Sequence, residues 1–426
     1  MYMSLIILFL LASIGIGVPI AFALALISIG ILFFADVSMM VVVQRIYAGV
    51  NSFPLLAVPF FILAGQVMNH SGISARLMEF AQALVGSLRG GLAHVNIVTS
   101  MFFAGMSGTA MSDSAAVGGI LVPAMIKRGY SRAFTGAVTA SASTIGIIIP
   151  PSVPMVLLGA FMGVSTGALF AAGFVPGVMI GVGMMIVAWF ISRRRNYPVE
   201  KQFRFSTALR TMVRAVPALA MPGVILGGIL GGVFTPTEAS AVAVIYGIGI
   251  GMFYYRTLTV AKLYRAFTET ALLCGGVMLV TATAHVLGYA FTYEQVSDRV
   301  IEPLARLASS GTVVLLILSV IMIICGVFLD GIAMMYIIVP LFLPAMVALQ
   351  IDPVVFGMVV ILCWGIGQQT PPVAAALFIT SMLAKCDVVS ITRENIPFIG
   401  VMIVVLLLLI AFPETLILAV PKAMGF

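Results

Sequence analysis

The sequence predicts an all-α polytopic membrane protein in which two inverted-topology repeats each carry a re-entrant helical hairpin and a broken helix. Three observations predict this fold: an apolar composition, an internal repeat, and a proline pair at the same place in each repeat. Hydrophobic residues make up 62% of the 426 residues and charged residues only 8%, which excludes a water-soluble domain of this length. The apolar blocks approach the roughly 20 residues of a spanning helix and lack strand-like alternation, which argues against a barrel.

The repeat emerges when the chain is slid against itself by 221 positions without a gap. Between residues 90 and 177, four of the five prolines then fall on another proline, although proline accounts for only 21 residues of the chain. The matching positions include Gly90 with Gly311, Gly146 with Gly367, Pro150-Pro151 with Pro371-Pro372, and Pro176 with Pro397. Such a match indicates an internal duplication.

Charge indicates how the two copies are oriented. Seven of the 21 Lys and Arg residues lie between Arg193 and Arg214, which places that loop in the cytoplasm by the positive-inside rule. The turn after the first apolar block, KRGYSR, carries Lys127 and two arginines, whereas the equivalent turn ALQIDP carries Asp352 and no basic residue. The equivalent turns are therefore expected on opposite sides of the membrane.

Each block of about 35 residues that enters and leaves on one side must be a re-entrant hairpin, because its arms reach only partway across a ~30 Å hydrocarbon core. The other interpretation is one long tilted helix followed by a loop. A span is expected within Ile46–Met68 and a last span at Ile396–Val420, and the N-terminal segment is not expected to be a removable signal peptide. The expected boundaries are 1–71 (scaffold, first repeat), 72–90 (amphipathic arm), 91–191 (transport part), 192–212 (basic loop), 213–293 (scaffold, second repeat), 294–310 (second arm) and 311–426 (transport part).

The proline pairs interrupt apolar segments at membrane depth, where irregular backbone is tolerated only inside protein or beside a watery cavity. A helix stopped by Pro-Pro frees carbonyl groups that suit a hard cation, and the next half-helix presents N–H groups to an anion. Inverted repeats with such breaks are typical of secondary transporters. Asp113 and Asp330, beside the two hairpin tips, are candidates for charge coupling because intramembrane acids are usually functional. Small and hydroxyl residues at the tips also have a plain packing interpretation.

Other polar residues are given structural roles. Glu238 in FTPTEAS is expected to cap a helix. The four cysteines have no C-x-x-C pairing and no metal-ligand spacing, so they are interpreted as small core residues.

Several runs resemble the large membrane subunit of tripartite ATP-independent periplasmic (TRAP) transporters, within the ion-transporter superfamily. They cover nearly the whole chain, and FTPTEAS with both PP runs is specific. The runs are SFPLLAVPFFILAGQVM (Ser52–Met68), GLAHVNIVTSMFFAGMSGTAMSDSAAVGGILVPAM (Gly91–Met125), IGIIIPPSVPMVLLG (Ile145–Gly159), GGVFTPTEASAVAVIYG (Gly231–Gly247), FLDGIAMMYIIVPLFLP (Phe328–Pro344) and TPPVAAALF (Thr370–Phe378).

The resemblance implies an elevator-type carrier rather than an enzyme, located in the bacterial inner membrane and driven by a Na⁺ gradient. It implies two partners, a separate small four-helix membrane subunit and a periplasmic binding protein that delivers an organic acid such as sialic acid or a C4-dicarboxylate. It implies no organic cofactor and no nucleic acid. The implied Na⁺ ligands are Ser107, Gly108, Thr109, Thr144 and Gly146 at one site, and Gly326, Asp330, Gly365, Gly367 and Thr370 at the other. Substrate contacts are predicted at Ser112, Ser143, Pro150, Pro151, Gln368, Gln369, Pro371 and Pro372.

One departure from the family pattern lies around the second proline pair. The family usually has apolar residues before TPP and a glycine after it, whereas this chain has Gln368-Gln369 before and Ala374 after. We therefore expect substrate contacts to differ there.

Two other functions compete with transport through a carrier. GMSG (Gly105–Gly108) and AHVLG (Ala284–Gly288) resemble motifs of rhomboid intramembrane proteases, in which Ser107 would be the nucleophile and His285 the base. The 178 residues between them do not fit neighbouring helices of a compact protease. A channel is disfavoured because two hairpins that meet at the midplane favour occlusion.

Overall fold

The computed structural model describes residues 9, 12–13, 16–200, 203–296, 310–329, 331–371 and 374–426. Within these ranges the chain is helical and contains no strand, which confirms the all-α fold class. Among the described residues, eight helical segments are long and apolar enough to cross a membrane, by length and composition. Asp330, Pro372 and most of the second arm lie outside the described residues.

The helices are numbered here in chain order over the described residues. They are α1 Ile20–Phe34, α2 Met39–Val50, α3 Ala57–His70, α4 Ile73–Val85, α5 Gly91–Ser107, α6 Ala110–Lys127, α7 Arg132–Thr144, α8 Val153–Met162, α9 Thr166–Arg194, α10 Phe205–Leu230, α11 Pro236–Gly249, α12 Val260–Tyr293, α13 Gly311–Phe328, α14 Gly331–Ala348, α15 Pro353–Gly367, α16 Ala375–Ala384, α17 Val388–Ala411, α18 Pro413–Leu416 and α19 Ala419–Ala423.

Two regions predicted to contain a span are divided in the structure. The segment expected as Ile46–Met68 is broken between α2 and α3 by a 3₁₀ turn, Phe53–Leu56, because Pro54 lacks a backbone N–H and Ser52 before the turn is extended. The last span ends at Ala411 rather than Val420, since Phe412 precedes Pro413 and takes a non-helical conformation. The candidate spans in these two regions are Phe53–His70 and Val388–Ala411, so the bounds differ from those predicted.

Helix ends elsewhere follow local sequence. Thr235 accepts the backbone N–H of Glu238, and the Glu238 carboxylate accepts the backbone N–H of Thr235, which forms a complete capping box at the start of α11. The prediction that Glu238 caps a helix is therefore confirmed. Asp352 caps α15 and Asp387 caps α17 through side-chain acceptors.

The helices form two packed groups. In one, the 34-residue α12 contacts α1, α2 and α3, and α11 packs on α3 and α10. The other contains the hairpins α5–α6 and α13–α14, the broken helices α7–α8 and α15–α16, and the long helices α9 and α17. The helix α4, which falls within the range predicted for the first amphipathic arm, packs on α5 and α10.

The second group interlocks the two halves of the sequence. The half-helix α16 packs on α6 and α7, while α8 packs on α15 and α14. Each break is therefore covered by elements from the other half of the chain, and a site built at the breaks includes residues distant in sequence.

The two groups contact each other most extensively between α12 and α14, where the Tyr336 hydroxyl donates to the Thr281 hydroxyl at 3.1 Å. At two other points they approach through glycine. A Cβ atom built on Gly65 of α3 would lie 3.1 Å from Cα of Ser107, and one on Gly105 of α5 would lie 2.9 Å from Pro222 of α10. Glycine allows the backbones at these two points to come closer than any other residue would.

Candidate functional site

The first hairpin turns within three residues. The helix α5 ends at Ser107, Gly108 takes the left-handed conformation with φ 61°, and extended Thr109 caps α6 by accepting the backbone N–H of Ser112 at 3.4 Å. The Gly108 carbonyl accepts the backbone N–H of Val153 at 3.3 Å. The tip of the hairpin is thereby fastened to the start of α8, immediately after the first break.

Asp113 is completely buried beside this tip. One carboxylate oxygen accepts the Ser107 hydroxyl, and the other has no hydrogen-bond partner in the part of the chain that the structure describes. A methyl group added to Gly146 would collide with this second oxygen and would lie 3.6 Å from the Thr109 carbonyl oxygen. Two oxygen atoms therefore face the bare α-carbon of Gly146, and a buried carboxylate in this setting needs a cation or a proton.

The first break follows α7 directly. A 3₁₀ turn, Ile145–Ile147, continues the helix, the Pro150–Pro151 peptide bond is cis, and Ser152 donates its hydroxyl to the Ile147 carbonyl at 2.7 Å. Ser143 donates to the Ala140 carbonyl at 2.8 Å and accepts the Ser114 hydroxyl at 2.7 Å. Ser143 thus joins α7 to α6 within the protein, as the packing interpretation of such residues describes.

The second break lies against the second hairpin through a contact between two glycines. A Cβ atom built on Gly367 would lie 2.8 Å from Cα of Gly326, so only glycine fits at this point. Thr370 donates to the Ile366 carbonyl at 3.0 Å, and a methyl group on Gly331 at the start of α14 would collide with Trp364. The predicted site residues Gly326, Gly367 and Thr370 are therefore brought to one region.

Gln369 joins the two breaks. Its side chain is fully buried, and its amide nitrogen lies 3.0 Å from the Thr144 hydroxyl and 3.1 Å from the Gly365 carbonyl oxygen. Its amide oxygen accepts the Ser141 hydroxyl at 2.7 Å and the Asn395 amide N–H at 3.0 Å. Both ends of the Gln369 amide therefore have hydrogen-bond partners within the protein. That Gln369 contacts substrate stays a prediction.

Two donors at the end of α15 remain free. Trp364 is 6% exposed, and its indole N–H has no hydrogen-bond partner among the described residues; the same holds for the Gln368 amide nitrogen. The two residues are four apart, so they lie on one face of the helix. Sequence reasoning included Gln368 but missed Trp364. The available signal was a tryptophan, one of only two in the chain, three residues before GQQTPP.

The Ser107–His285 dyad of the protease interpretation is not formed. Ser107 donates to Asp113, whereas His285 on α12 packs against Gly49 and edge-on against the Phe161 ring at 5.5 Å. Nucleophile and base would have to share a hydrogen bond. The arrangement gives no support to a hydrolase.

A cavity of about 670 Å³ opens at the base of the second hairpin, away from both breaks. Its lining includes Gly311 and Asp352 at the two ends of the hairpin, together with Glu414 and Lys422, which form an ion pair. None of its lining residues belongs to the predicted ion or substrate sites. The tips and breaks, rather than this cavity, form the candidate site.

The described helices form an all-α membrane fold in which two hairpins contact two broken helices, and solved structures share this fold. The fold is similar to the YdaH transporter of Alcanivorax borkumensis, with a TM-score of 0.65, 14% identity, and coverage of 88% of this chain and 87% of that one. It is also similar to MtrF of Neisseria gonorrhoeae, with a TM-score of 0.62 and 14% identity over 89% of this chain and 85% of that one.

The particular family follows from sequence. Residues 5–415 match the family described as "Tripartite ATP-independent periplasmic transporter, DctM component", and the chain belongs to this family. It is 33% identical to the sialic acid TRAP transporter large permease protein SiaM of Vibrio cholerae, over 96% of both chains. It is 34% identical to the C4-dicarboxylate TRAP transporter large permease protein DctM of the same organism, over 97% of this chain and 96% of that one. The family resemblance expected from the sequence is thereby confirmed.

Proposed function

We propose that this chain is the large membrane subunit of a Na⁺-coupled importer for an organic acid in the bacterial inner membrane. The observation that carries the proposal is the buried Asp113 carboxylate, whose free oxygen faces Gly146 together with the Thr109 carbonyl. A hard cation prefers oxygen ligands of this kind, and Na⁺ bound there would neutralise the buried charge. The second ion site would involve Gly326, Gly365, Gly367 and Thr370 with Asp330, which lies outside the described residues.

The substrate would bind beside the second break. Among the described residues, the indole N–H of Trp364 on α15 and the amide N–H of Gln368, the residue after that helix, have no hydrogen-bond partner. Charge-assisted hydrogen bonds to a carboxylate would satisfy both. Ser112 is half-buried at the first hairpin tip. An acid of the sialic acid or C4-dicarboxylate kind fits these donors, in line with the substrates named for the relatives.

The partners follow from the family. A small four-helix membrane subunit would cover apolar surface of the helix group around α12, and a periplasmic binding protein would deliver the acid. In the proposed elevator cycle, the group containing the hairpins and broken helices moves against the group around α12. The glycine contacts between the groups support this division.

Uptake into proteoliposomes tests the coupling. The chain is reconstituted with its small subunit and binding protein, and uptake of the delivered acid is measured with an inward Na⁺ gradient and again after the gradient is collapsed. We expect uptake to stop on collapse. Unchanged uptake would rule out Na⁺ coupling.

The variant Asp113→Asn tests the ion site directly. The amide keeps the size of the side chain and removes its charge, so half-saturation should require roughly tenfold more Na⁺, equivalent to about 1.4 kcal/mol of lost ion binding. Asp36→Asn is the matched control, because Asp36 lies at a partly exposed turn with φ 55°, where asparagine is tolerated. Equal effects of the two substitutions would exclude a special role for Asp113.

The inverted arrangement of the repeats is tested by labelling. Single cysteines at Lys127 and Asp352 in a cysteine-free background should react with a membrane-impermeant maleimide from opposite sides. Reaction of both cysteines from the same side of the membrane would contradict the inverted topology.

A further inference from the structure

Gln369 gives the two halves of the chain a shared polar contact at the point where both helices break. Its Nε2 atom donates to Thr144 at the end of α7 and to the Gly365 carbonyl on α15. A carbonyl oxygen can only accept, so the contact with Gly365 fixes which end of the amide carries nitrogen. The oxygen end is then correctly matched to the Asn395 amide donor.

The two acceptors occupy equivalent positions in the repeat. The offset of 221 superimposes Thr144 on Gly365. Thr144 belongs to the ligand set proposed for the first ion, and Gly365 belongs to the set proposed for the second. One amide nitrogen therefore contacts one ligand of each site.

These contacts leave both ligands able to bind an ion. The Thr144 hydroxyl donates to the Ser141 carbonyl at 2.7 Å and accepts from Gln369, which leaves one lone pair. The Gly365 carbonyl has two lone pairs and uses one for Gln369. An ion held at either site would fix the position of the Thr144 hydroxyl or the Gly365 carbonyl. Because the buried Gln369 amide contacts both groups, fixing one of them would also restrict the other.

We propose that Gln369 is a positioning residue that links the two ion sites, so that binding of the first Na⁺ strengthens binding of the second. This inference rests on the proposed Na⁺ function and goes beyond it, because two independent sites would equally support coupled transport. The remainder of the network supports the link. Asn395 on α17 donates to the oxygen end of the amide, so its nitrogen has a single orientation. The Ser141 hydroxyl on α7 lies within hydrogen-bond distance of both the Gln369 and the Asn395 amide oxygens.

The experiment is a Na⁺ titration of the purified chain, with its small subunit bound, monitored by the thermal unfolding midpoint. NaCl replaces choline chloride at constant ionic strength, so only specific ion binding shifts the midpoint. The variants are Gln369→Met, which keeps the length of the side chain, and Gln369→Leu. Gln44→Leu is the matched control, since Gln44 is exposed on α2.

The wild-type protein and Gln44→Leu should respond sigmoidally, with a Hill coefficient above 1. In both Gln369 variants the coefficient should fall to about 1, and half-saturation should rise by roughly fivefold or more, the lower end of typical coupling between sites. A purely structural role of Gln369 would lower the midpoint without Na⁺ and leave the shape of the titration unchanged.

The outcomes separate this inference from the proposed function. A wild-type protein whose unfolding midpoint does not change with Na⁺ would overturn both the proposed Na⁺ coupling and the link between the two ion sites. A Na⁺ response that stays sigmoidal in Gln369→Met or Gln369→Leu would overturn the link and leave Na⁺ coupling standing. If the leucine variant does not fold, the methionine variant decides, because it fills nearly the same volume.

Discussion

Gly326 and Gly367 touch through their backbones, since a Cβ atom on Gly367 would lie 2.8 Å from Cα and 2.9 Å from the carbonyl oxygen of Gly326. The contact joins the second hairpin to the end of α15, where the second break begins. Neither partner can yield by rotating a side chain, because both are main chain. The distance between the hairpin and the break is therefore set by the absence of two side chains.

Gly367→Ala should push the second hairpin away from the break. Because the clash is with backbone, we expect destabilisation of about 1–3 kcal/mol and at least a tenfold loss of uptake. Uptake in proteoliposomes and the unfolding midpoint are the measurements. Gly400→Ala is the control, as a Cβ atom there meets nothing within 4 Å. Similar losses in both variants would show that the glycine contact has no special importance.

Gly108→Ala should damage the first hairpin tip more than its backbone conformation alone would predict. An added Cβ atom would lie 3.1 Å from both the Pro151 carbonyl oxygen and the Val153 nitrogen. Gly129→Ala is a matched control with φ 86° and open space around the added atom. The control should cost about 1 kcal/mol of stability from its left-handed conformation, with uptake retained. We expect loss of uptake in Gly108→Ala but not in Gly129→Ala. If Gly108→Ala retained uptake, the contact between the hairpin tip and the first break would not be needed for transport.

Trp364→Phe should weaken substrate binding while preserving the fold. The ring remains, but the free indole N–H is lost, so KM for the delivered acid should rise roughly tenfold, the value of one hydrogen bond to a charged group. Trp189→Phe is the control, because Trp189 stacks edge-on with Phe190 on α9, away from both breaks. An unchanged KM for Trp364→Phe would remove this residue from the substrate site.

Ala374→Gly should stabilise the protein. Ala374 precedes α16 with φ 25° and ψ 52°, in the region that favours glycine. Relief of this backbone cost should raise stability by about 1 kcal/mol, read as a higher unfolding midpoint in detergent. Ala376→Gly, within α16, should instead lower it by about 1 kcal/mol. A lower midpoint for Ala374→Gly would indicate that its methyl group contributes more through packing than its conformation costs.

The sequence was most informative where single residues dictate the backbone. Proline pairs and glycines predicted both breaks, and the structure places Gly108 and Gly367 at close approaches between them and the hairpins. The same rule was overlooked at Pro54 and Pro413, so the predicted bounds of the spans there differ from those in the structure.

The polar network could not be read from sequence, because its members are far apart along the chain. Gln369 meets Thr144 across 225 positions, and Ser141 meets Asn395 across 254. Nothing in the local pattern around either position distinguishes a buried amide from a ligand. Only the folded arrangement of α7, α15 and α17 shows that Gln369 is used internally while Gln368 has a free donor.

The close approaches at Gly65 and Gly105 have a consequence for how the two helix groups pack. The backbone of Ser107 packs directly against Gly65, and the ring of Pro222 fills the space that a side chain at Gly105 would occupy. The spacing of the backbones at these points therefore depends on a hydrogen atom where every other residue would place a carbon. A methyl group added at Gly65 would press on the backbone of Ser107, which cannot yield by rotating a side chain.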